Sequence, residues 1–137
     1  MSSPLAVIER LLNAVNAHDL GALVDCFADD YVNITPAHPA RGFTGRDQVR
    51  KNWAMIFGAV PDLRTELMAS AVDGTTVWTE WDMSGTRVDG SPHHMRGPMI
   101  FEVGGDRIAS VRFYLEPVDS GTADINAAVR LHTAGQS

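Results

Sequence analysis

The chain is predicted to be one α+β domain, a curved antiparallel sheet packed with about three helices into a cone-shaped barrel. Three observations carry this expectation. Apolar residues recur at helical spacing as far as Phe57; from Leu63 the period changes to two; and Gly-containing dipeptides cut the second half into long segments. Helices followed by strands are an α+β order, in which the helices must cover one face of the sheet. A chain of 137 residues is enough for one core but not two, so a single domain over 1–137 is expected.

Ser3-Pro4 reads as an N-cap followed by proline at the first helical position, where a missing N–H costs nothing. Leu5, Ile8, Leu11, Leu12 and Val15 then form one apolar face. His18-Asp19 ends that helix. Asp19 caps a second, carrying Leu20, Leu23, Val24 and Phe27 and ending near Asp29-Asp30. An extended piece from Tyr31 to Thr35 leads into a loop made irregular by Pro36 and Pro39. Thr44-Gly45-Arg46-Asp47 has capping-box form and opens a third helix through Val49, Trp53, Ile56 and Phe57, stopped by Gly58 and Pro61.

Extended segments follow at 63–72, 75–88, 91–103 and 106–116, separated by Asp73-Gly74, Asp89-Gly90 and Gly104-Gly105. Such dipeptides suit tight hairpins because their residues tolerate positive φ. A meander of long antiparallel strands results. After Pro117 a loop rich in Asp, Ser and Gly leads to a short terminal helix around Ile125, Ala128 and Val129, expected over the pocket mouth.

The composition is 45% apolar and 20% charged, with a formal net charge of −6. Basic residues are scattered without a stripe, so neither nucleic acid nor an anionic membrane is an expected partner. Cys26 stands alone, which excludes an intramolecular disulfide or a cysteine zinc cage and fits a reduced, cytoplasmic setting. The N-terminal apolar residues are interrupted by Glu9 and Arg10, unlike a secretion signal, and no stretch is long enough to span a bilayer.

Hairpin register decides which side chains share a face. Two-residue turns at Asp89-Gly90 and Gly104-Gly105 pair Met83 with Arg96 and Arg96 with Phe113. One face then carries Thr79, Trp81, Met83, His94, Arg96, Pro98, Ile100, Val111, Phe113 and Leu115, and is the expected interior. The other carries Glu80, Asp82, Met95, Arg112, Tyr114 and Glu116, with Asp82 and Arg112 as a cross-strand ion pair beside Gly97. For the first hairpin, a two-residue turn turns Arg64 and Glu66 inward, whereas a three-residue loop brings in Leu63, Leu67 and Ala69. The longer loop is favoured because it buries fewer charges.

Tyr31-Val32-Asn33-Ile34-Thr35-Pro36, Gly45-Arg46-Asp47, and Gly105-Asp106-Arg107-Ile108 leading to Arg112-Phe113-Tyr114 together resemble the nuclear-transport-factor-2-like superfamily, closest to its SnoaL-like and limonene-epoxide-hydrolase-like branches. The resemblance implies a cone fold, a small-molecule pocket and a homodimer. It does not imply one chemistry, since members cyclise polyketides, isomerise steroids, open epoxides or only bind. The epoxide-hydrolase pattern pairs a Tyr and an Asn that hold water, matched by Tyr31 and Asn33. Its charged positions, however, fall on Trp81, Met83 and Phe113, so epoxide opening by that mechanism is not expected. SnoaL-like cyclases use an acid late in the final strand, where Glu116 stands. Strand alternation points Glu116 outward unless a bulge intervenes.

The candidate catalytic residues are therefore His94, Arg96, Tyr31 and Asn33. His94 is a general base or an interior histidine bonded to a carbonyl. Arg96 is an oxyanion stabiliser or half of a structural ion pair. Tyr31 and Asn33 hold a water or a ligand carbonyl, or merely satisfy each other's neighbourhood. Trp81, Met83, Phe113, Trp53 and Leu115 are expected to line the pocket. His38, in the proline loop, is expected to be exposed. Adjacent His93 and His94 point to opposite faces, so no metal is expected, nor any organic cofactor. The expected activity is cofactor-independent proton transfer on an apolar, polyketide-like or cyclic molecule, as an isomerase, cyclase or hydrolase. The alternatives are a non-catalytic ligand binder and a dimeric accessory module.

Overall fold

The computed structural model describes residues 3–134. Helix α1 (Pro4–Asn16) is capped by Ser3, whose side chain accepts from the Ala6 N–H. It buries Val7, Ile8, Leu11, Ala14 and Val15. His18, at φ 52°, turns the chain, and its ring bonds the Leu63 carbonyl at 2.8 Å while stacking on Phe57. Asp19 then caps α2 (Leu20–Asp25) by accepting from Ala22 N–H. That helix stops earlier than the apolar spacing suggests. Phe27 already belongs to β1 (Phe27–Ile34), where Arg46 donates to its carbonyl and pairs with Asp29 at 3.1 Å, holding the segment extended.

A 3₁₀ turn (Pro39–Arg41) and the short β2 (Phe43–Thr44) lead to α3 (Arg46–Ala59). No capping box forms there. Thr44 is spent on β2, and Gly45 at φ 101° takes the cap position without a side-chain bond. Asp47 still lies in the first turn, where it favours the positive helix end. Strands β3 (Arg64–Asp73), β4 (Thr76–Thr86), β5 (Pro92–Gly104) and β6 (Arg107–Phe113) form the expected meander; β7 (Glu116–Pro117) pairs with β5. The spatial order is β2-β1-β6-β5-β4-β3, with β1 parallel to β6. The sheet is curved and unclosed, and α1 and α3 cover its concave side. Helix α4 (Ile125–Thr133) buries none of its residues. Among the described residues, no helix is long and apolar enough to cross a membrane.

Register departs from expectation at each hairpin. At the first, Asp73 pairs with Thr76, so the turn has two residues rather than three. A bulge between Leu67 and Ala69 then reverses the alternation, so Leu63, Thr65 and Leu67 still turn inward and Ala69 does not. At the second, Arg87 N–H bonds Ser91 O at 2.8 Å around a three-residue loop whose Gly90 sits at φ 85°. This pairs Met83 with Met95 and Asp82 with Arg96. At the third, Gly104 pairs with Arg107, and a bulge between Glu102 and Val103 sets Met99 opposite Phe113. The two departures invert β5 relative to its neighbours while leaving β4 and β6 as expected.

The inner face carries Trp81, Met83, Phe101, Val103 and Val111, all buried, against the apolar faces of α1 and α2. The buried Trp81 indole donates to Thr79 Oγ1 at 2.7 Å, which in turn donates to the Met99 carbonyl. No polar atom in that chain is left unmatched, which burial of a tryptophan requires. At the sheet border, the Asn16 amide makes two bonds to Thr65, donating to its carbonyl at 3.0 Å and accepting from its N–H at 2.8 Å.

Candidate functional site

Because the sheet curls around α1 and α3, its concave side is not filled. A cavity of about 350 Å³ remains. Its walls are mostly aromatic and thioether: Phe27, Phe43 and Phe113 from the strands, Trp53 from α3, and Met95 and Met99 from β5. Methionines are unbranched and adaptable, which suits a wall that must fit more than one ligand shape. The polar lining is Tyr31, Asn33, Thr35, Arg41, Asn52, His93 and Glu116.

Tyr31 and Asn33, singled out from sequence, line this cavity together. The Tyr31 hydroxyl donates to Asn33 Oδ1 at 2.9 Å, and Asn33 Nδ2 donates to Thr35 Oγ1 at 3.2 Å. Tyr31 and Asn33 of β1 and Thr35 just beyond it are thus linked in a polar rail. Burial raises the Tyr31 pKa well above the tyrosine range, so this hydroxyl is a donor and not a base. Trp53, Met83, Phe113 and Leu115 also line the cavity as expected, whereas Trp81 is packed in the core beside it.

His94 and Arg96 do not reach the cavity. With β5 inverted, both lie on the convex side of the sheet and both bond Asp82: His94 Nε2 at 3.1 Å from Oδ1, Arg96 Nε at 2.9 Å from Oδ2. The expected partnership of Asp82 with Arg112 is replaced by this trio, and Arg112 instead stands over the Trp78 ring at 5.9 Å. The residues brought inward in their place are His93 and Met95. Burial, then the charges of Arg87 and His94, hold the His93 imidazole below its ordinary pKa.

Another histidine–carboxylate pair forms outside the expected interior. Glu116 lines the cavity, and its Oε1 lies 2.7 Å from Nε2 of His38, whose proline loop connects β1 to the 3₁₀ turn. Tyr114 and Leu115 join β6 to β7 as the chain crosses Gly97, with Tyr114 N–H still donating to the Pro98 carbonyl at 3.0 Å. Gly97 adopts φ 147°, and a Cβ there would collide with the Tyr114 carbonyl oxygen. The crossing therefore demands glycine. Beyond it the chain rejoins β5, with Glu116 opposite Arg96. A distance of 2.7 Å falls in the range of charge-assisted bonds. Both side chains keep partial solvent access, at 36% for His38 and 44% for Glu116, which places the pair where the cavity opens.

Sequence reasoning missed His38 because 78 positions separate it from its partner. The available signals were an acid at the end of the last strand and a histidine in a loop stiffened by Pro36 and Pro39. The terminal helix does not line the cavity. Among the described residues, no group of three or more His, Cys, Asp or Glu side chains is arranged to hold a metal ion.

The fold recurs in solved structures. An LEH-like epoxide hydrolase from M. tuberculosis superposes with a TM-score of 0.71 at 20% identity, over 82% of this chain and 82% of its own. An uncharacterised cystatin-fold protein from Novosphingobium aromaticivorans gives 0.69 at 24% identity, over 83% and 99%. A proposed polyketide cyclase from Sinorhizobium meliloti gives 0.63 at 23%, over 81% and 94%. At these identities the likeness concerns the fold alone. No curated protein matches the chain significantly. The family model for the SnoaL-like domain matches residues 8–111, which take in the β1 rail and His38 and end before Glu116. By that match, across most of its length, the chain belongs to the SnoaL-like domain family.

Proposed function

We propose that this protein is a cofactor-independent isomerase or cyclase that moves a proton on an apolar, enolisable carbonyl compound of cyclic or polyketide-like character. The observation that carries the reading is the His38–Glu116 pair, 2.7 Å apart where an otherwise apolar cavity opens. The His38 imidazole engages one Glu116 oxygen, and the other remains to take a proton from the ligand. Glu116 keeps 44% of its side-chain surface exposed, so the proton it abstracts can exchange with water before returning to the same carbon or another. The remaining Asn33 N–H and the Thr35 hydroxyl orient the carbonyl, while Tyr31 fixes the Asn33 amide through its donated bond. Membership of the SnoaL-like family and the shared fold with proteins described as a polyketide cyclase and an epoxide hydrolase support a small-molecule role.

The test is deuterium exchange. In heavy water, the wild-type protein should speed label uptake at the α-carbon of cyclic monoketones, whose uncatalysed exchange is slow, followed by proton NMR, and Glu116→Gln should abolish the acceleration. Ligand capture without exchange anywhere in such a panel would instead make the protein a binder.

The same reading takes the protein to be a cytoplasmic homodimer. Trp78 and Met68 expose apolar surface on the sheet at 47% and 46%, and Cys26 is a buried free thiol. Sedimentation equilibrium with Trp78→Glu tests the pairing; a wild-type monomer would remove it.

A further inference from the structure

The polar part of the cavity wall has a marked excess of donors. Asn52, on α3, has its oxygen engaged by Gln48 Nε2 at 2.7 Å, so both of its amide N–H groups are unspent. Asn33 has given one N–H to Thr35 and keeps one. Arg41, in the 3₁₀ turn three residues after His38, lines the cavity with no side-chain hydrogen bond or ion pair among the described residues. Its five N–H groups are available, and Glu116, which also lines the cavity, is bonded to His38. The imidazole that lines the cavity, His93, is shifted by burial toward its neutral form.

Glu116 is already engaged by His38 at 2.7 Å. Arg41, with no ion-pair partner among the described residues, presents its positive charge beside the apolar cavity. A planar guanidinium with an open fork matches a carboxylate, which it binds through two parallel bonds.

We propose that the cavity takes an apolar monocarboxylate, its hydrocarbon body against Trp53, Phe113 and the methionines and its carboxylate on Arg41, with the Asn52 amide as further donor. This inference rests on the cavity being the substrate site and narrows its ligand to an acid that also carries an enolisable carbonyl. Glu116 then acts on the carbon next to that carbonyl, while Arg41 sets which end of the molecule enters.

Three probes of one shape separate the possibilities: 4-phenylbutyrate, its primary amide, and the neutral ketone 5-phenylpentan-2-one, each titrated by calorimetry. The wild type should bind the acid at least about 10-fold more tightly than the amide. Arg41→Gln, at an exposed position where folding is not at stake, should erase that preference and leave the amide and ketone unchanged. Arg41→Lys should restore part of it. Equal binding of acid and amide, or an acid preference that survives Arg41→Gln, overturns the inference while the cavity stands as a ligand site. Failure of all three probes to bind overturns the substrate-site reading and the inference with it.

Discussion

Two histidine–carboxylate pairs stand in different places on one sheet. Beside the cavity His38 meets Glu116 at 2.7 Å; on the convex side His94 meets Asp82 at 3.1 Å, with Arg96 sharing the same carboxylate. As side-chain chemistry the two are close relatives. Their settings differ: the first borders a cavity of about 350 Å³ walled by aromatic rings and thioethers, whereas the second lies on open sheet, with Arg96 half exposed. The contrast shows that an acid beside an imidazole is not in itself a site. Concavity, dry walls and room for a third molecule turn it into one.

The sharpest way to break this comparison is to remove one carboxylate at a time. Glu116→Gln should lower the rate of α-proton exchange by about 10²- to 10⁴-fold. Asp82→Asn should change it less than about 2-fold, because surface ion pairs do little at a distance. A larger loss from Asp82 would move the site to the other face.

Gly97→Ala should come next. Its φ of 147° and the overlap of a new Cβ with the Tyr114 carbonyl together predict a stability loss of about 3 kcal/mol or more, read from urea unfolding. At temperatures where that variant remains folded, Glu116 should be displaced and exchange should fall with it. Full activity would show that the crossing does not position Glu116.

His93 predicts a pH effect on stability. Its folded-state pKa is lowered, so between the folded and unfolded values the unfolded chain binds more protons. The stabilisation is present above about pH 6.5 and is lost as pH falls through the folded value. Urea midpoints on either side of that window should differ for the wild type, and His93→Gln should flatten the difference. An unchanged slope in the variant would assign the acid sensitivity elsewhere.

The smallest effect belongs to the convex trio. Asp82→Asn should cost under about 1 kcal/mol in urea unfolding, since Arg96 is half exposed and water screens the pair.

The fold and much of the cavity wall were legible because they depend on period and punctuation. Apolar spacing marked α1 and α3, the Gly-containing dipeptides marked all three hairpins, and Tyr31, Asn33, Met83 and Phe113 fell on the correct face. What failed was a count of one. A three-residue loop at Val88–Gly90 and a bulge at Glu102 reversed β5, exchanging His94 and Arg96 for His93 and Met95. Loop length there is decided by Gly90 at φ 85° and by Asp89, which accepts from Ser91 N–H; Asp89-Gly90 serves a two-residue or a three-residue turn equally well. The His38–Glu116 pair was illegible for another reason. It joins a loop to the end of the last strand across a glycine crossing, and no period describes that contact.

The amide clamp at the sheet border has a consequence for how this molecule meets others. β3 is an outer strand, and its backbone would ordinarily be open to a visiting strand. Asn16 fills both hydrogen-bonding positions of Thr65, and the bulge near Met68 interrupts the straight run beyond it. An intruding chain therefore finds the rung nearest the helices already taken and the following one out of step. Lateral zippering of one copy onto another is confined to the short stretch toward Asp73.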